Sequence, residues 1–231
     1  MPGKIAMTII TQQTGYPSGA MPTDIPPVVV RRLGCVAYLP TCHAMQEFTA
    51  GRKGDTADEI WLLEHSPVFT LGQAGLPEHL LQSSDIPLIK IDRGGQITYH
   101  GPGQLVVYLL IDIKRRGYGV SEFVKRLEQA IIDLLQSYQI AAQRRRNAPG
   151  VYVNNAKIAA LGLRIKHGCS YHGLALNIDM DLTPFSHINP CGYKDMPVTQ
   201  MRDLAVSATI EQLSSALLVL LQHYLTPGIS I

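Results

Sequence analysis

The sequence predicts an α+β (mixed α/β) domain, in which helices flank a largely antiparallel mixed sheet. Three observations predict it. Short apolar runs bounded by turn residues recur along the chain and read as buried strands. Three segments instead read as helices, the clearest of them with apolar residues at helical spacing. Neither a linker nor an internal repeat interrupts residues 28–226. The chain has 231 residues, 46% of them hydrophobic and 16% charged. That suits one compact domain, since a single core stays efficient up to roughly 250 residues.

Taken in order, residues 1–27 are rich in Gly, Pro, Thr and Ser, nearly uncharged and without helical or strand period. They read as a disordered amino-terminal extension, with Met21 a more natural start, and the domain itself as 28–231. The run Ile5-Ala6-Met7-Thr8-Ile9-Ile10 is too short and broken for a signal peptide. A short helix is expected at Thr41–Phe48, and strands at Glu59–Leu63, Leu88–Ile91 and Gln104–Ile113. Near Ser121 the clearest helix starts, because Val120, Phe123, Val124, Leu127, Ile131, Leu134, Leu135 and Tyr138 make one apolar stripe. Val151–Val153 and Ile158–Ile165 form a hairpin around the turn residues Asn154-Asn155. A strand at Leu174–Ile178 and a helix from about Ala208 to Tyr224 complete the set.

Charge and cysteine usage narrow the function classes. A formal net charge of +2 does not argue for nucleic acid, and no run of 18 apolar residues suggests a membrane span. Cys35, Cys42, Cys169 and Cys191 show no paired spacing, so free thiols and a cytoplasmic location are expected.

Three stretches carry compositions that cost stability unless they are used. Arg93 to Gln104, RGGQITYHGPGQ, holds four glycines and a proline directly after a strand. Composition leaves two readings: a plain hairpin connection, or a loop where a ligand lies against bare backbone. Phosphate-loop spacing is absent. Arg93, Tyr99 and His100 carry groups able to hydrogen-bond a carbonyl or amide. In the second stretch Lys157 enters the apolar run KIAALGLRI; such a lysine either snorkels to solvent or is buried with a lowered pKa or a partner. In the third, Cys191 sits between Pro190 and Gly192 in a polar loop, a position that suits a nucleophile better than a core filler. A zinc reading from His167, Cys169, His172, His187 and Cys191 matches no familiar spacing, so no metal is expected. His100 and His172 stay open between orienting backbone, binding substrate and acting as base.

At these residues the chain resembles the lipoyl(octanoyl) transferases, within the superfamily of lipoate and biotin protein ligases. The resemblance spans roughly residues 30–225 and rests on EHSPVFTLG, RGGQITYHGPGQ, KIAALGLRI and HGLALNIDMDL leading to INPCG, in that order. It implies a biotin/lipoate protein ligase-like catalytic domain and a catalytic pair, Cys191 and Lys157. Substrate contacts are implied at Arg93, Gly94, Gly95, Gln96, Ile97, Thr98, Tyr99 and His100, at Ala160, Leu161 and Gly162, and at Gly173, Leu174 and Ala175. The donor implied is octanoyl-acyl carrier protein. The acceptors are apo lipoyl domains of 2-oxoacid dehydrogenases and the glycine cleavage H protein. No cofactor is implied, because a thioester is already activated. An ATP-dependent ligase and a non-catalytic acyl-binding module are the alternatives; neither requires the thiol. Basic clusters at Arg31-Arg32, Lys114-Arg115-Arg116 and Arg144-Arg145-Arg146 read equally as solvated surface or as steering for an acidic carrier.

Overall fold

The computed structural model describes residues 25–146, 148–189 and 196–231. Most of the segment expected to be disordered, and Cys191 with its neighbours 190–195, therefore lie outside the described residues. In chain order the elements are β1 (Val29–Val36), α1 (Tyr38–Ala50), β2 (Glu59–His65), β3 (Val68–Leu71), β4 (Leu88–Lys90), β5 (Ile97–His100) and β6 (Gln104–Leu110). Then come α2 (Val120–Ser137), β7 (Gln143–Arg144), β8 (Gly150–Val153), β9 (Ala156–Lys166), β10 (Cys169–Asn177) and α3 (Ile210–Tyr224).

Seven strands form one sheet in the order β1-β2-β6-β10-β9-β8-β7, and β4-β3-β5 form a second. Within the large sheet β1 and β2 are parallel, bridged by α1, and every other neighbouring pair is antiparallel. The expected mixed, mainly antiparallel architecture is what folds.

Strand β6 shows why this sequence makes a two-faced sheet. All seven of its residues are buried, and successive side chains point to opposite faces. Leu105, Val107 and Leu109 join a core built with α2 and α3, while Val106, Tyr108 and Leu110 join another packed against α1. Helix α2 covers the first face because Phe123, Leu127, Ile131, Leu134 and Leu135 recur on one side. Helix α3 begins at a capping box, in which Thr209 and Gln212 each satisfy the other's backbone N–H. A third apolar cluster joins Phe69, Leu71, Ile97 and Tyr99 of the small sheet to Met180, Phe185 and Ile188.

The small sheet is where sequence and structure differ most. Residues 97–100, inside the glycine-rich stretch, pair as a strand with β3 instead of forming continuous turns. The glycines act at its flanks. Gly103 has φ +84°, and a Cβ there would lie 1.9 Å from the Asp179 carbonyl oxygen, so no other residue fits without moving backbone. The expected hairpin around Asn154 and Asn155 forms, both residues taking positive φ.

Part of the basic surface is internal. Asp58 is fully buried and accepts from Arg52, Arg115 and Arg116, and Arg116 also donates to the Leu225 carbonyl at 2.6 Å. Burial alone would raise the Asp58 carboxyl, but Arg116, the Asp112 N–H and Arg115 outweigh it and hold it below the ordinary value. Its stabilisation is present at neutral pH and lost as pH falls through that depressed value. Asp58→Asn leaves three guanidinium groups without their counter-charge. The expected cost is about 3–5 kcal/mol, read as a lower urea midpoint at unchanged slope; an unmoved midpoint would show that solvent already screens the cluster.

Candidate active site

A pocket opens between the small sheet and strands β6, β9 and β10. Arg93, Gly95, Gln96, Ile97, Thr98 and His100 form one wall. Ala160, Leu161 and Gly162 of β9 and Gly173, Leu174 and Ala175 of β10 form another, lying opposite one another in the antiparallel register. Two expected contacts are not among its walls. Gly94 spends its N–H on the Leu163 carbonyl at 2.9 Å, which ties the glycine-rich stretch to β9 and removes that N–H as an oxyanion donor. Tyr99 points to the other face of β5, its ring centroid 5.6 Å from those of Phe69 and Phe185. Conversely Tyr38, Val106, Tyr108 and His172 line the pocket, and of these the sequence had raised only His172.

Close strand packing keeps the pocket narrow. A Cβ on Gly173 would lie 2.0 Å from the Val107 carbonyl oxygen, so glycine lets β10 pass against β6. Arg93 lines the pocket while anchoring the loop: it donates to the Thr70 carbonyl at 2.7 Å and to that of Gly94 at 2.9 Å.

A hydrogen-bond chain fixes the pocket relative to Lys157. His100 Nδ1–H donates to Gln104 Oε1 at 2.7 Å; Gln104 Nε2–H donates to Asn177 Oδ1 at 2.9 Å; Asn177 Nδ2–H donates to the Thr199 carbonyl at 3.0 Å. Thr199 in turn donates its N–H to the Lys157 carbonyl, and the Lys157 N–H donates to Pro197. Lys157 is 4% exposed, so the snorkelling alternative does not hold. Its Nζ donates to the Pro149 carbonyl at 3.3 Å and stands 5.3 Å from the centre of the Tyr152 ring. Along β9 it precedes Ala160 by three residues, about 10 Å. The described chain on either side of Cys191 is tied down as well, with Asn189 N–H donating to the His79 carbonyl and residues 197–199 bonded to Lys157.

His100 and His172 line the pocket, His65 packs behind His100, and burial disfavours the charged form of all three. His65 is pushed down to about 4 by burial, its Nδ1–H donating to Val36 and its Nε2 accepting from Tyr108. Burial takes His100 down to about 3, with the nearby His65 adding to the effect. His172 is 1% exposed and adopts φ +58°, uncommon for a residue within a strand. Burial lowers it too, despite Asp92, which accepts from Nε2 at 3.2 Å. Asp92 also accepts from Tyr171 and is held well below the carboxylate range, His172 contributing most.

Among the described cysteines, Cys42 is pushed up to about 11 by burial and then by Asp92, and burial raises Cys169, so neither is poised as a thiolate. Among the described residues, Cys42, Asp92 and His172 bring potential metal-ligating atoms within 4.8 Å of one another. Asp92 already accepts two hydrogen bonds there and the thiol keeps its proton. The described members of the zinc set weighed from the sequence, His167, Cys169, His172 and His187, do not gather.

A sheet of this topology is the fold shared by the catalytic domains of lipoate and biotin protein ligases. The chain is similar to the putative lipoate protein ligase of Thermoplasma acidophilum with bound lipoic acid, at TM-score 0.69 and 15% identity over 85% of each chain. The biotin protein ligase of Aquifex aeolicus with biotin and ATP shares the fold at TM-score 0.53 and 9% identity, covering 86% of this chain and 69% of that one. Residues 38–222 match the lipoyl protein ligase A/B catalytic domain. The octanoyltransferase of Thiobacillus denitrificans is 64% identical over 198 residues, 86% of this chain and 91% of that one. That of Aromatoleum aromaticum is 60% identical over 211 residues, 91% of each. The chain belongs to the octanoyltransferase family, and it is an acyltransferase acting in protein lipoylation. No helix among the described residues is long and apolar enough to cross a membrane.

Proposed function

We propose that this enzyme moves an octanoyl group from octanoyl-acyl carrier protein to a lysine of an apo lipoyl domain, through a thioester on Cys191. The observation that carries the reading is the buried Lys157. It lies on β9 three residues before the glycine-walled pocket begins at Ala160, and its backbone is bonded to the chain that follows Cys191. The pocket walls formed by Gly95 to Thr98, Ala160 to Gly162 and Gly173 to Ala175 hold the acyl chain.

In the first step the Cys191 thiolate attacks the thioester carbonyl carbon. The C–S bond to the carrier's pantetheine breaks, and the departing thiolate takes a proton from Lys157. In the second, the acceptor ε-amine attacks the acyl-enzyme, the C–S bond to Cys191 breaks, and neutral Lys157 takes the amine's proton. Each step returns the pair to the state that the other needs, which gives ping-pong kinetics. Backbone N–H groups near Cys191 or in the glycine-rich loop, other than Gly94, stabilise the oxyanion. The acceptors are the lipoyl domains of 2-oxoacid dehydrogenases and the glycine cleavage H protein, met in the cytoplasm.

Intact-mass spectrometry after mixing with octanoyl-acyl carrier protein tests the route. One octanoyl adduct on the Cys191 peptide, discharged by an apo lipoyl domain, is expected. Turnover without an adduct on rapid quenching would mean direct transfer, and an ATP requirement would mean ligase chemistry.

A further inference from the structure

Glu128 is out of place in α2. It lies four residues after Val124 and three before Ile131, on the flank the helix buries, and is 5% exposed. A buried carboxylate is strongly destabilising unless paired, so its partners define what it is for. Its Oε1 accepts from the Gly150 N–H at 2.9 Å, and its Oε2 stands 3.3 Å from Arg144 Nε. Gly150 lacks a side chain where Lys157 passes: a Cβ there would lie 3.2 Å from Lys157 Cε and 3.5 Å from Nζ. The carboxylate and the lysine head group therefore pack on the same glycine, one held by its N–H and the other by the space its side chain would fill.

We propose that Glu128 is a positioning residue for Lys157: through Gly150 it fixes where the lysine lies, and as its counter-charge it sets the pH at which the lysine releases its proton. The inference rests on Lys157 being the proton carrier of the transfer reaction proposed above. The other charges at this point come from α2 and from β7 with the residue after it. Helix α2 contributes Lys125, strand β7 contributes Arg144, and Arg145 follows it with its guanidinium 4.4 Å from the Tyr152 ring. The Tyr152 phenol of β8 donates to the Ala148 carbonyl. Burial raises the Glu128 carboxyl, while the Gly150 N–H, Arg144, Lys157 and Lys125 draw it back. Arg144 thus opposes Glu128, which leaves the lysine a counter-charge of moderated strength. A proton carrier needs that balance, because it must hold its proton before one step and give it up during that step.

The test is a direct titration of Lys157 by NMR in protein carrying ¹³Cε-lysine, its resonance identified by its loss in Lys157→Arg. In Glu128→Gln, where the amide oxygen still accepts from Gly150, the midpoint is expected to fall by about one pH unit. Arg144→Gln, on an exposed strand, is expected to raise it by less. Wild-type midpoints in both variants, or shifts in the same direction, overturn the proposal. Should Glu128→Gln fail to fold, the sign in Arg144→Gln decides alone. The pH profile of octanoyl transfer is expected to move with the NMR midpoint. A midpoint that moves while the profile stays supports the Glu128 coupling and removes Lys157 from the proton path, so the two failures are distinguishable.

Discussion

Lys157→Met is expected to slow octanoyl transfer by about 10²–10⁴-fold, the range of a general acid–base group, and to act on kcat rather than on KM. Methionine approximates the lysine stem in length and suits the buried site against Gly150 and Tyr152, so the loss reports the head group rather than the packing. Lys157→Arg separates two roles. It keeps a positive charge able to favour a neighbouring thiolate, but a guanidinium does not release its proton in proteins. If proton exchange is the role, arginine fails nearly as badly as methionine. If charge alone matters, arginine restores most of the rate, and the second step needs another base. Combining Lys157→Met with Cys191→Ala should be no slower than Cys191→Ala alone, because residues that act as a unit are far from additive. Steady-state kinetics with octanoyl-acyl carrier protein and an apo lipoyl domain measures all four proteins.

How much of this site was legible in the sequence follows from where each residue's constraint is written. Gly95, Gly162 and Gly173 stand out locally, because each reflects backbone coming close to something, and the structure places all three on the pocket wall. Tyr38, Val106 and Tyr108 carry no local mark. They reach the pocket from α1 and β6, and their neighbours read as ordinary core. Tyr99 shows the opposite difficulty: it sits amid the glycine-rich stretch, yet strand alternation in β5 turns it into the cluster with Phe69 and Phe185. Of the small sheet only β4 was legible, as the strand expected at Leu88–Ile91; β3 and β5 were hidden because they span four residues each, and turn-forming glycines flank β5. Glu128 did leave a signal. The apolar stripe that includes Val124 and Ile131 puts residue 128 on the same side, where a buried carboxylate needs a partner. Arg115 and Arg116 read as surface charge because their partner, Asp58, is more than fifty residues away in sequence.

The buried histidines make the second large prediction, a stability that falls steeply in mild acid. His65 and His100 are uncharged when folded, with values near 4 and 3, and titrate near 6.5 when unfolded. As pH drops below 6.5 the unfolded chain takes up protons that the folded protein refuses, so stability is full above that value and is lost towards 4 and then 3. Between pH 7 and 5 each histidine is expected to remove about 2 kcal/mol, a large share of a typical total of about 5–15 kcal/mol. Urea unfolding at a series of pH values measures the slope, and the double variant His65→Gln, His100→Gln should flatten it. Its absolute stability will fall as well, since Tyr108 and Gln104 lose imidazole partners, but only the pH dependence is at issue. A slope as steep in the variant as in the parent would assign the protons elsewhere, to His172 first, which burial also lowers. The same neutrality serves the chemistry. An imidazolium lining the pocket would put a desolvated charge beside an alkyl chain. Burial that holds His100 near 3, and lowers His172 as well, therefore favours the neutral rings that an octanoyl group needs beside it.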